Sequence, residues 1–171
     1  MCVTAEDIVF AKQLESPAGL REHMRAVAEM AAGYAKEVGY NADDAYLAGM
    51  AHDLFRVASD EEIIETAKRA NMPLSNIMLS RPMLAHGPAA AAWLMENAPD
   101  ISEDILCAIR DHTFPPSDSP ILTQIIAVAD TLEPSRHIPE REKIRLADMP
   151  FSERFKKVFE LKQNNSKRQQ N

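Results

Sequence analysis

Six residues of this sequence are the ones best suited to chemistry: His23, His52, Asp53, His86, His112 and Asp130. Neutral imidazoles and carboxylates are the donors that suit divalent first-row metals such as iron, manganese, cobalt and zinc. His52 and Asp53 are adjacent, so their side chains leave the backbone in different directions and can serve two neighbouring coordination positions. A carboxylate has two oxygens and can bridge two ions, which an imidazole cannot. One bridging aspartate with ligands from four other segments therefore describes a binuclear centre. Such a pair of ions can hold a hydroxide at neutral pH, orient a phosphoryl group and neutralise its developing charge.

Taken singly, each histidine reads as a hydrogen-bonded core or boundary residue, and a His-Asp dipeptide is common. Asp130 stands apart. It ends the apolar run IIAVAD, and a carboxylate buried there requires a cation or hydrogen-bond donors to meet it. Glu133 reads first as a surface helix end and otherwise as a partner that orients a ligand. His137 reads as a surface loop residue.

The elements that must position these groups are helices. Thr4 with Asp7 three residues on can cap a short first helix, and Ser16-Pro17 opens a second that Gly39 can end. Asn41 caps a third running toward His52 and Asp53, and Ser59 with Glu62 opens a fourth. Pro73 and Pro82 break the next stretch into loop and short turns. His86-Gly87-Pro88 starts a fifth helix, Ser102 a sixth that carries Ile105, Ile109 and His112 on one face, and Ser119-Pro120 a seventh ending in Asp130. One or two amphipathic helices follow Pro139. Few segments are rich in the residues that favour strands. The expected fold is all-α: one helical domain over 1–162 with the binuclear site between helices, then a polar, disordered tail over 163–171.

The chain of 171 residues suits one domain, and its formal net charge of −7 argues against sequence-independent binding to nucleic acid. A small anionic substrate stays open, because a bound metal inverts the local field. Cys2 and Cys107 form no paired framework and read as reduced thiols, with Cys107 in the core. MCVTAEDIVF lacks the pattern of a signal peptide and no apolar run is long enough to span a bilayer, so a cytoplasmic protein without membrane partners is expected.

The order His23, His52-Asp53, His86, His112, Asp130 resembles the HD superfamily of metal-dependent phosphohydrolases. More narrowly, AHDLFR, LAHGPAAAAWL, AIRDHT and IIAVADTLEPSR are similar to the YqeK-type symmetrical bis(5′-nucleosyl)-tetraphosphatases. The resemblance implies a helical domain with a di-iron centre that cleaves diadenosine tetraphosphate into two ADP, and it suggests a homodimer. Carried over by position, it places one metal on His23, His52, Asp53 and Asp130 and the second on His86 and His112, with Asp53 bridging. Iron is then the favoured metal, with manganese or cobalt as alternatives. Arg56 stands where the family has a lysine, and Arg136 matches the arginine of its E-P-G-R segment. Both suit phosphate oxygens. Thr113 either contacts phosphate or caps its helix.

Departures from the pattern are local: Arg21 lies only two residues before His23, TFPP follows His112, and Ser135 replaces a glycine. No proposed ligand is lost. The expected reaction is attack by a metal-bridging hydroxide on an inner phosphorus, with Asp53 and Arg56 as the catalytic residues and Arg56, Thr113 and Arg136 on the substrate. The alternatives are an HD phosphohydrolase acting on a nucleoside mono- or triphosphate, a non-catalytic nucleotide-binding regulator, and a helical interaction domain.

Overall fold

Short polar side chains set the helix starts. In a computed structural model, which describes residues 3–170 except the side chains of Arg136 and 165–170, Thr4 and Asp7 form a reciprocal capping box on α1 (Ala5–Gln13). Helix α2 (Ala18–Glu37) follows Pro17 and ends at Gly39, whose φ of 73° suits a residue without Cβ. There the Tyr40 N–H reaches back to the Ala35 carbonyl at 2.8 Å and closes the end. Asn41 caps α3 (Ala42–Ala51) through its side-chain oxygen. Ser59 caps α4 (Asp60–Arg69), Ser75 caps α5 (Asn76–Ser80) and Ser102 caps α7 (Glu103–Asp111) in the same way.

Pro82 opens a 3₁₀ turn, Pro82–Ala85, that leads straight into α6 (His86–Asn97). Helix α8 (Ile121–Leu132) is followed by the 3₁₀ turn Pro134–Arg136, then α9 (Pro139–Leu146) and α10 (Phe151–Gln170). No strand occurs among the described residues, in keeping with the expected all-α class. The backbone of α10 stays helical through residues 163–170, the segment whose composition suggests a tail. Its Lys, Arg and Gln residues are good helix formers. Asn171 lies outside the described residues.

Helix α6 is buried over its first two turns. Pro88, Ala89, Ala90, Ala91, Ala92 and Leu94 are all buried, so the helix is covered on every side rather than along one stripe. It packs on α4 and α7, α7 packs on α8, and α8 packs on α2, α3 and α10. Small side chains let these axes come close. A Cβ on Gly49 of α3 would lie 2.5 Å from the Ala28 Cα of α2, and one on Gly87 would lie 2.7 Å from the Ile109 carbonyl oxygen of α7. Cys107 is half-buried at the edge of α7, with its thiol toward Glu103, and so does not belong to the core. Its position in ILCAI leaves it beside the buried face rather than on it. Among the described residues no helix is long and apolar enough to cross a membrane.

Candidate metal centre

Three of the histidines sit at helix ends. His52 follows α3, His86 follows the turn Pro82–Ala85, and His112 follows α7. Each of these rings donates to the carbonyl three residues before it, at the end of the helix or turn that it follows. His52 Nδ1 donates to the Gly49 carbonyl at 2.7 Å, His86 Nδ1 to Met83 at 2.6 Å, and His112 Nδ1 to Ile109 at 2.7 Å. A carbonyl only accepts, so Nδ1 carries the proton and, in the neutral ring, Nε2 presents a lone pair to the interior. His23, on α2, is oriented differently: its Nδ1 lies 3.2 Å from Glu133 Oε2.

All six chemical candidates converge, and Asp53 stands between them. Its Oδ2 lies 3.5 Å from His52 Nε2 and 3.8 Å from His23 Nε2. Its Oδ1 lies 2.9 Å from His86 Nε2 and 3.8 Å from His112 Nε2. Asp130 Oδ1 joins the first group, 3.4 Å from His23 Nε2 and 3.8 Å from His52 Nε2. The donor atoms of His23, His52 and Asp130 lie within 4.8 Å of one another, as do those of His52, Asp53 and His112.

The donor set fits a pair of cations. His86 Nε2 and His112 Nε2 are 3.0 Å apart. With both Nδ1 protons on carbonyls, the two facing Nε2 atoms call for a proton or a metal cation between or beside them. His23 Nε2 and His52 Nε2 are buried without a hydrogen-bond partner, which is costly for a polar atom unless something coordinates it. Burial disfavours the charged form of Asp53, but the facing His52 and His86 rings outweigh it and hold the carboxyl far below the usual range. Asp130 is likewise held low, with the His23 contact and then Lys162 overcoming its burial. Burial and then the neighbouring His86 and His52 push the pKa of His112 down to about 3, so it is neutral at pH 7. Burial alone would lower His23, yet Asp130, Glu133 and Asp53 together raise it. Ionised carboxylates and imidazole lone pairs turned inward make an anionic pocket suited to divalent metal.

Around this pocket, Thr113 Oγ1 lies 3.2 Å from His112 Nε2. Arg56 is half-buried one turn past Asp53, whose carbonyl accepts its backbone N–H at 2.9 Å. The Arg136 side chain lies outside the described residues. Glu133 proves to be buried rather than a surface helix end, because the chain turns inward after α8 and sets its carboxylate against His23. The backbone N–H and the hydroxyl of Ser135 both donate to that carboxylate. Sequence reasoning missed Lys162, whose Nζ lies 3.7 Å from Asp130 Oδ2. The signal was there: Phe151, Phe155 and Val158 are buried on one stripe of α10, and Lys162 is the next position along it.

Known proteins share the fold and the family of this chain. A symmetrical bis(5′-nucleosyl)-tetraphosphatase of Halalkalibacterium halodurans is 33% identical over 124 residues, which is 72% of this chain and 66% of the relative. Its counterpart in Bacillus subtilis is 32% identical over 123 residues, again 72% of this chain and 66% of the relative. The chain thus matches just under two thirds of the length of either. A crystal structure from Clostridium acetobutylicum, of a predicted HD superfamily hydrolase involved in NAD metabolism, has a TM-score of 0.83 at 24% identity over 95% of this chain and 85% of that one, and shows the same fold. The HD domain family model matches residues 20–135, a span that takes in all six residues of the cluster, and the chain belongs to that family.

Proposed function

We propose that this chain hydrolyses dinucleoside tetraphosphates, splitting diadenosine tetraphosphate into two ADP at a binuclear metal centre. The observation that carries the proposal is the placement of Asp53, with one oxygen toward His23 and His52 and the other toward His86 and His112. The relatives named as symmetrical tetraphosphatases support the choice of substrate. His23, His52, Asp53 and Asp130 would hold one ion, and His86 and His112, sharing Asp53, the other. Iron is the favoured metal, with manganese and cobalt as the other candidates for an N/O donor set.

When bound, a metal pair would supply Lewis acidity toward phosphoryl oxygens and lower the pKa of water toward neutrality, which would make hydroxide available as nucleophile. The protein's part is to hold the donors still. The Nδ1–H bonds of His52, His86 and His112 fix their tautomers, and Glu133 does the same for His23. Thr113 stands beside His112, where its hydroxyl can donate to a phosphate oxygen. Arg56, and Arg136 by its family position, stabilise charge on the transferred and departing phosphates. ADP leaves readily, so no strong general acid is called for. The polar tail over 163–171, a homodimer and a cytoplasmic location complete the proposal.

Metal analysis of protein purified without oxygen, joined to a product assay on diadenosine tetraphosphate, tests it. About two metals per chain and ADP as sole product is the expected result. Phosphate or pyrophosphate released from a mono- or triphosphate instead would move the substrate. Nucleotide binding without turnover would make the chain a regulator.

A further inference from the structure

The centre is closed unevenly. The side chains of His52, Asp53, His86 and His112 are 0%, 4%, 5% and 2% exposed, whereas those of His23, Asp130 and Lys162 are 11%, 14% and 16% exposed. Solvent, and anything dissolved in it, therefore meets the cluster along the edge formed by His23 and Asp130. Lys162 stands on that edge. Its ammonium lies 3.7 Å from Asp130 Oδ2, while Asp130 Oδ1 turns toward the His23 and His52 rings.

The lysine is delivered there by construction. It extends the buried stripe of α10 formed by Phe151, Phe155 and Val158. The first turn of the same helix is fastened by Arg154, which donates to the carbonyls of Ile144, Arg145, Ala147 and Met149. A charged group drawn along an apolar stripe needs anionic company. Asp130 supplies one charge, but an ammonium has three donors and can hold a second anion as well. Two divalent ions offset by Asp53 and Asp130 leave a small positive surplus, less than a polyphosphate chain carries in negative charge.

We propose that Lys162 is a substrate-contacting cation at the mouth of the centre, binding phosphate oxygens of the incoming nucleotide. Helix α10, beyond the residues matched by the family model, thereby completes the substrate site. The inference rests on the reading of the cluster as a polyphosphate-cleaving centre.

The test compares Lys162→Met and Lys162→Arg with the unmodified metal-loaded protein. It measures ADP binding by calorimetry, metal content per chain, and KM and kcat on diadenosine tetraphosphate. Lys162→Met is expected to weaken ADP binding roughly ten- to a hundredfold, the worth of one charge-assisted contact, and to raise KM with unchanged metal content. Lys162→Arg should keep most of the affinity. ADP binding unaltered in Lys162→Met overturns the inference. So does metal loss in parallel with ADP loss, since the ammonium would then act only through Asp130. If ADP binding falls as expected but diadenosine tetraphosphate is not cleaved by the unmodified protein, the proposed substrate fails and the assignment of Lys162 stands.

Discussion

Replacing Gly87 by Ala should damage the metal centre more than it damages the fold. The added Cβ would lie 2.7 Å from the Ile109 carbonyl oxygen, 2.9 Å from that of Arg110 and 3.2 Å from His112 Cε1. Ordinary contact begins near 3.4 Å, so α6 and α7 must separate by about 0.7 Å, and both close contacts are to backbone. Overpacking of this kind costs roughly 1–3 kcal/mol, and the better helix propensity of alanine returns about 1. The net destabilisation is therefore about 0–2 kcal/mol, a fall in Tm of a few degrees. The centre has no such compensation. Gly87 follows His86, and the carbonyl it would push is the one that orients His112 Nδ1 at 2.7 Å. The two Nε2 atoms, 3.0 Å apart, would move relative to each other by more than the ~0.2 Å that metal–ligand distances tolerate. The expected result is loss of one metal per chain, or at least a tenfold weaker second site, in elemental analysis and metal titration, with a melting curve close to that of the unmodified protein. Gly33→Ala is the control: nothing lies within 4 Å of its added Cβ, and stability should rise slightly with metal content unchanged. Two metals bound at unmodified affinity by Gly87→Ala would refute the reasoning.

Glu133→Ala should weaken metal binding about ten- to a hundredfold, the usual effect of removing the partner that orients a histidine ligand, and competition with a chelator would measure it. Ser135→Gly, which leaves the Glu133 carboxylate without its hydroxyl donor, should give a smaller loss in the same assay; an effect as large as that of Glu133→Ala would contradict this order. Arg154→Met leaves four carbonyls without their shared donor and should lower stability by roughly 2–4 kcal/mol, seen as a drop in urea midpoint. The carboxyl of Asp7 is held below its usual value by the backbone N–H and then the hydroxyl of Thr4. Its contribution is therefore full above the unfolded value of 3.8 and is lost as pH falls through the lower folded value. The stability difference between the unmodified protein and Asp7→Asn should accordingly vanish in strong acid.

The helices were legible because their signals are local. Thr4, Asn41, Ser59 and Ser102 announce starts that need no knowledge of the rest of the chain, and each caps as expected. The six residues of the cluster were legible for a different reason: imidazoles and carboxylates at helix ends are chemically conspicuous, and their order matches a known family. Glu133 and Lys162 are ordinary surface residue types, and only packing reveals what they face. Glu133 is turned inward by the chain reversal after α8, and Lys162 by the docking of α10, neither of which has a period or a motif. Cys107 was misplaced by hydrophobic company, since ILCAI does not say which face of α7 a given residue takes.

The imidazoles of this centre differ in how they are inherited. Gly49, Met83 and Ile109 orient their histidines through main-chain oxygens, which every amino acid possesses. No single codon change at those three positions can delete the orienting group; it can only displace it. His23 alone depends on a side chain, and that carboxylate is in turn steadied by the Ser135 hydroxyl. Natural variation can therefore adjust the centre in graded steps through one arm while the other three stay fixed, and that arm lies at the edge where solvent enters.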